Sequence, residues 1–143
     1  MEQPKKRKYL IATHGTFSKG VKSSLNMIIG DTESLYIIEA YVDDVNIEDQ
    51  IKSVLNEICD EDELIIFSDI MGGSVTNQLL QQALKPNSHI ISGFNLPLLI
   101  EIMLADTETP INEVIEDAIL NAKEQMVYVN KLINKNNEEA QDD

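Results

Sequence analysis

The sequence predicts an α/β fold: one three-layer domain whose mainly parallel sheet of at least four strands, in spatial order 2-1-3-4, carries helices on both faces. Three observations lead there. Four short apolar runs alternate with stretches of helical periodicity, the order expected of β-α-β units. The runs hold almost no interior charge, Glu39 being the exception, as strands covered on both faces require. A length of 143 residues, 43% of them hydrophobic, suits one globular domain and excludes wholesale disorder, collagen-like repeats and low-complexity architecture.

The elements follow in order. Residues 1–8, with Lys5, Lys6, Arg7 and Lys8, read as a solvated basic arm ahead of the first strand, Tyr9 to Thr13. Val21, Leu25 and Ile28 form the stripe of a first helix that stops at Gly30. The second strand is Leu35 to Ala40. Asn46 caps the next helix, with Glu48 and Asp49 in its first turn and Ile47, Ile51, Val54, Leu55 and Ile58 at helical spacing. Leu64 to Ser68 is the third strand, and a helix with Val75, Leu79, Leu80 and Ala83 begins at Ser74. Ile90 to Gly93 is the fourth strand.

Two helices close the domain. Leu96 to Ala105 is apolar nearly all round, so it is either fully buried or meets another subunit; a domain this small has little room for the first, and a homodimer is expected. The last helix is read as starting at Thr109-Pro110, cap plus first-turn proline, and carrying one stripe from Ile111 through Met126 and Val129 to Ile133. The domain thus spans 9–135, and 136–143 reads as a frayed acidic tail.

Charge narrows the function. Eleven Lys and Arg against 25 Asp and Glu give a net charge of −14, and residues 9–137 hold seven bases and 20 acids. Such a field repels phosphate backbones and anionic membranes, so no nucleic-acid partner is expected. No window approaches the ~18 apolar residues of a membrane span, and no membrane insertion is expected; the chain reads as cytoplasmic. Cys59 alone supports no internal disulfide and reads as a packed thiol.

Right-handed crossovers put the first helix on one face and the later helices on the other, opening a crevice between the carboxyl ends of strands 1 and 3. Strand 1 ends at Thr13-His14-Gly15; strand 3 ends at Ser68-Asp69, followed by Ile70-Met71-Gly72-Gly73-Ser74. His14 and Asp69 therefore sit on strands about 4.8 Å apart, within reach of a hydrogen bond. Imidazole is a nucleophile when one nitrogen is unprotonated, and a carboxylate on the other nitrogen fixes that tautomer. Gly72-Gly73-Ser74 turns into a helix N-terminus, whose amides and hydroxyl suit phosphate. Singly, each residue has a simpler role: His14 a polar edge, Asp69 a turn acid, Ser74 a helix cap, the glycines a turn. Together they point to a histidine that carries a phosphoryl group.

Other chemistries fit less well. Ser74 lacks the Gly-x-Ser-x-Gly elbow of a hydrolase. His14 and Asp69 are too few for a metal site, and no metal or cofactor is expected. Gly15 to Gly20 has the wrong spacing for a Walker or dinucleotide loop. A receiver domain would need an acidic pair where this chain has His14. His89 enters strand 4 at its amino end and reads as structural.

Thr13-His14-Gly15, Asp69-x-x-Gly72-Gly73-Ser74 and Gly93-Phe94-Asn95-Leu96-Pro97, in this order, make the chain from Tyr9 to Asn134 resemble the IIA component of the mannose-type family of the bacterial phosphoenolpyruvate-dependent sugar phosphotransferase system. The resemblance implies that His14 accepts phosphate from the histidine phosphocarrier HPr and passes it to a IIB component. It further implies that Asp69 hydrogen-bonds His14, that Ser74 contacts the phosphoryl oxygens, and that the domain is a homodimer. Gly73, Gly72 and Thr13 are expected to line the same phosphoryl group. Ala12 and Val75 stand where the family often has Gly and Pro. Two rival functions remain at this point: a regulatory binding module switched by phosphorylation, and the related phosphotransferase subunit of dihydroxyacetone kinase.

Overall fold

The computed structural model describes residues 5–141, with side chains described to residue 138. Its elements are β1 (Arg7–His14), α1 (Phe17–Ile28), β2 (Leu35–Ala40), α2 (Ile47–Asn56), β3 (Glu63–Ser68), α3 (Ser74–Gln82), β4 (Ser88–Ser92), α4 (Leu96–Leu104), α5 (Ile111–Lys123) and α6 (Val129–Gln141). The four strands form one parallel sheet in the order β2-β1-β3-β4, as the sequence predicts.

Strand alternation divides the core in two. Tyr9, Ile11, Ile65 and Phe67 face α1, α4 and α5, whereas Leu10, Ala12, Leu64 and Ile66 face α2 and α3. The later helices are therefore not all on the face opposite α1. The crossovers into β3 and β4 put α2 and α3 there, but α4 follows the last strand and makes no crossover. It is free to fold back beside α1, whose face would otherwise hold one helix. Seated there, α4 buries Leu98, Leu99 and Ile102 within a single copy. Phe67 is fully buried and meets Phe94 edge-on, with ring centroids 6.4 Å apart. Phe67→Ala should lower unfolding free energy by about 3–5 kcal/mol, read from urea unfolding of the two proteins.

Several boundaries move. Arg7 belongs to β1 rather than to a solvated arm: it is buried, pairs with Glu63 at 3.2 Å and donates to the Asp106 carbonyl at 3.0 Å and to that of Thr109. The clamp joins the start of the sheet to the loop before α5, and it holds the cation's donors on carbonyls that burial would otherwise leave bare. Residues 1–4 lie outside the described residues. Ile28 is exposed, and only Val21 and Leu25 of the expected stripe reach the core, joined by Ser18, whose Oγ donates to the Ile38 carbonyl at 2.9 Å. Cys59 lies exposed in the turn after α2, not packed.

The expected single C-terminal helix is two. Pro110 is itself the N-cap residue, and α5 ends at Lys123. There the Ala122 carbonyl accepts from Asn95 Nδ2 at 3.0 Å and from the Gln125 amide at 3.1 Å, which removes the acceptor that a continuing helix would offer residue 126. The run Val127-Tyr128-Val129 also has modest helix propensity. Helix α6 then continues through Gln141, so residue 136 falls inside a helix rather than at the start of a frayed tail. Among the described residues, no helix is long and apolar enough to cross a membrane.

Candidate functional site

The site is built where β1 and β3 end. In the parallel register Ala12 is opposite Ser68, so Asp69 emerges beside Thr13 and His14. Asp69 Oδ2 accepts two hydrogen bonds from one residue: the His14 amide at 2.8 Å and the ring Nδ1 at 2.8 Å. Its other oxygen accepts the Ile70 amide at 2.9 Å. Burial raises the Asp69 pKa, but the His14 amide, the imidazole and the Ile70 amide outweigh it and leave the carboxyl below its ordinary value. Asp69 is thus an ionised acceptor, which requires a hydrogen on His14 Nδ1; of the two neutral tautomers it selects the one with the lone pair on Nε2. The Asp69 side chain is 10% exposed and that of His14 42%, so the carboxylate is sheltered while the imidazole is open to solvent.

Ser74 stands on the open side of the ring, with Oγ 3.3 Å from Nε2. It does not cap the helix. Gly73 holds the N-cap position of α3, and Ser74, the first helical residue, aims its hydroxyl at the histidine. A Cβ at Gly73 would press on the Ile70 carbonyl oxygen at 3.3 Å, tighter than usual, and would only touch His14 Cε1, at 3.7 Å. The Gly73 amide is already given to the Ile70 carbonyl at 3.2 Å. The first-turn N–H left open to an anion is therefore that of Ser74, one position further along than a cradle built on Gly73. Gly72 has φ +78° and makes the turn that brings this N-terminus round to His14.

Thr13 is not part of the phosphoryl space. It is fully buried, and its hydroxyl accepts the Ser18 amide at 2.8 Å, satisfying an orphan donor in the first turn of α1. The third motif is also structural. Asn95 caps α4 by accepting the Leu98 amide at 3.0 Å, and Phe94 stacks on Phe17 with centroids 5.6 Å apart. His89 pairs with Ile65, which lies opposite Tyr9, about 16 Å along the strand from His14. Among the described residues no three His, Cys, Asp or Glu side chains converge as a metal site.

Sequence reasoning missed Tyr41. It follows the last residue of β2, its phenol donates to Ser74 Oγ at 2.8 Å, and its ring lies 5.6 Å from that of His14. The predicted topology held a signal. Strand 2 lies beside strand 1, so whatever follows Ala40 emerges next to His14.

The fold and this site define an α/β domain of the IIA type used by sugar phosphotransferase systems. The chain has a TM-score of 0.86 against the crystal structure of a phosphoenolpyruvate-dependent sugar phosphotransferase system permease from Klebsiella pneumoniae, with 34% identity, covering 93% of this chain and 98% of that one. It is similar too to the IIA protein associated with the fucose utilization operon of Streptococcus pneumoniae, at a TM-score of 0.75 and 26% identity over 92% and 99% of the two chains. The fructose-specific EIIA component of Bacillus subtilis is 27% identical over 97 residues, which span 66% of this chain and 66% of that protein. The chain belongs to the EIIA-man family, the PTS system fructose IIA component, whose model matches residues 8–119. It is a IIA component of a sugar phosphotransferase system.

Proposed function

We propose that the protein is a cytoplasmic phosphocarrier: His14 accepts a phosphoryl group from phosphorylated HPr and passes it to a separate IIB component, for uptake of a mannose-family sugar. The observation that carries this reading is the 2.8 Å bond from Nδ1 to the ionised Asp69, which leaves Nε2 as the nucleophile beside the N-terminus of α3. In the transfer the donor's N–P bond breaks, its imidazole keeps the electron pair, and a new bond forms between Nε2 and phosphorus. Asp69 holds Nδ1–H and balances the charge that the ring gains. The Ser74 hydroxyl and the Ser74 amide at the start of α3 meet the phosphoryl oxygens.

A protein donor suits the setting. The chain neighbours of the site, Val42, Ile70 and Met71, are 53%, 59% and 75% exposed, an apolar margin fit for a docking partner. The family match to sugar-system components supports this branch over the dihydroxyacetone kinase subunit. With phosphoenolpyruvate, enzyme I and HPr, each chain should gain one acid-labile, base-stable phosphate; an unchanged mass overturns the proposal. Onward transfer to a IIB protein separates it from a regulatory module.

The homodimer belongs to the same proposal. Residues 129–138 of α6 are all exposed, and Val129, Leu132 and Ile133 line one side of that helix. An apolar stripe left open by its own chain suits a second copy. Sedimentation equilibrium should give twice the 16.1 kDa chain mass, and Leu132→Asp with Ile133→Asp should halve it. A wild-type monomer overturns the dimer.

A further inference from the structure

Tyr41 has φ +67°, a left-handed backbone that aromatic residues rarely adopt and, among the described residues, one found at no other non-glycine position. That geometry occurs directly after β2, one residue beyond Ala40, the register partner of His14. It sends the side chain back across the sheet end, where the tilted ring covers His14 and the phenol reaches Ser74. A backbone outlier held beside a reactive imidazole calls for a functional reason.

The hydrogen bonds supply one, because with a neutral imidazole, the form that can attack phosphorus, they run in one direction only. Ionised Asp69 accepts, so Nδ1 donates and Nε2 of the neutral ring can only accept. The donor to Nε2 is then the single hydrogen of Ser74, 3.3 Å away. With that hydrogen committed, Ser74 Oγ must accept from Tyr41, whose phenol lies 2.8 Å away. Tyr41, Ser74, His14 and Asp69 thus form one polarised chain.

We propose that Tyr41 is a positioning residue for phosphoryl transfer: by donating to Ser74 it anchors the serine oxygen and turns the serine hydrogen towards Nε2. The inference rests on the phosphocarrier reading. When the phosphoryl group arrives, Nε2 spends its lone pair on phosphorus, and the serine hydrogen must swing from nitrogen to a phosphoryl oxygen. Tyr41 keeps Oγ in place during that swing. Without the phenol, Ser74 is free to leave the rotamer that serves the reaction.

The variant Tyr41→Phe keeps the ring and the backbone and deletes only the donor. At saturating phospho-HPr it should take phosphate about fivefold more slowly, with the half-saturating concentration unchanged. In a Ser74→Ala background the same change should have no further effect, since Tyr41 acts through the serine. Wild-type speed in the single variant, or an equal slowing in both backgrounds, overturns the inference. A second measurement needs no donor. In the unphosphorylated protein the Nε2 nitrogen resonance of His14 should move towards that of a free imidazole nitrogen when Tyr41 becomes Phe, and an unmoved resonance overturns the positioning role. Should the wild type take up no phosphate at all, the phosphocarrier reading fails, while the nitrogen resonance still decides whether Tyr41 orients the serine.

Discussion

Phosphate incorporation into the His14→Ala variant is expected to fall to background, a loss of more than about 10³-fold. The chain has two histidines, and His89 lies at the opposite end of the sheet, outside the reach of Asp69 and Ser74. No other imidazole can take over. The fold should survive, because the His14 side chain is 42% exposed and the backbone at the end of β1 is held independently, by the Gly15 amide on the Ala40 carbonyl at 2.9 Å. Intact-mass analysis after incubation with the phosphorylating proteins checks this, with circular dichroism as the folding control. Label persisting in the variant would move the acceptor to another residue.

Asp69→Asn should slow phosphate uptake by about 10²-fold while leaving the fold intact. The amide keeps the shape of the carboxylate but loses its charge, and one of its two terminal atoms becomes a donor. Oδ2 now serves two N–H groups and Oδ1 a third, so the asparagine NH₂ must face either the His14 donors or the Ile70 amide. If it faces His14, the ring is driven to the wrong tautomer, with its lone pair on Nδ1. Rapid-quench measurement at saturating phospho-HPr isolates the loss in the chemical step; an unaltered rate would exclude Asp69 as the orienting group.

The same carboxylate makes stability depend on pH. Its pKa is lowered on folding, so the folded protein holds the proton less tightly than the unfolded chain. The stabilisation is complete above the unfolded value, about 3.9. It is lost as pH falls through the lower folded value. Wild type should therefore exceed Asp69→Asn in denaturant midpoint near neutrality, and the gap should close on acidification below about pH 4. A gap that widens in acid would contradict the sign.

Much of this protein is legible along the chain. Apolar runs with almost no interior charge mark four strands because both faces of the sheet are covered, and crossover handedness then yields their order. Once that order is known, His14 and Asp69 must meet, since each ends a neighbouring strand. Asn46 is visible as a cap because its role lies in its own turn, where its Oδ1 accepts the Asp49 amide at 2.8 Å. What stayed hidden depends on partners distant in sequence. Arg7 reads as part of a solvated basic cluster until the loop carbonyls of residues 106 and 109 close around it. The end of α5 turns on Asn95, 27 residues away. Thr13 stands next to His14 in sequence, yet strand alternation turns its side chain inward, while Tyr41, just beyond another strand, comes to lie beside the ring.

The sequence by itself determined the sheet, the crevice and the histidine–aspartate pair, because periodicity and connection handedness are properties of the chain. Only the tertiary structure decided which face received α4, where the last long helix broke, and which hydroxyl and phenol meet at Nε2. Those outcomes depend on side-chain directions and hydrogen-bond partners that exist only once separate segments are packed together.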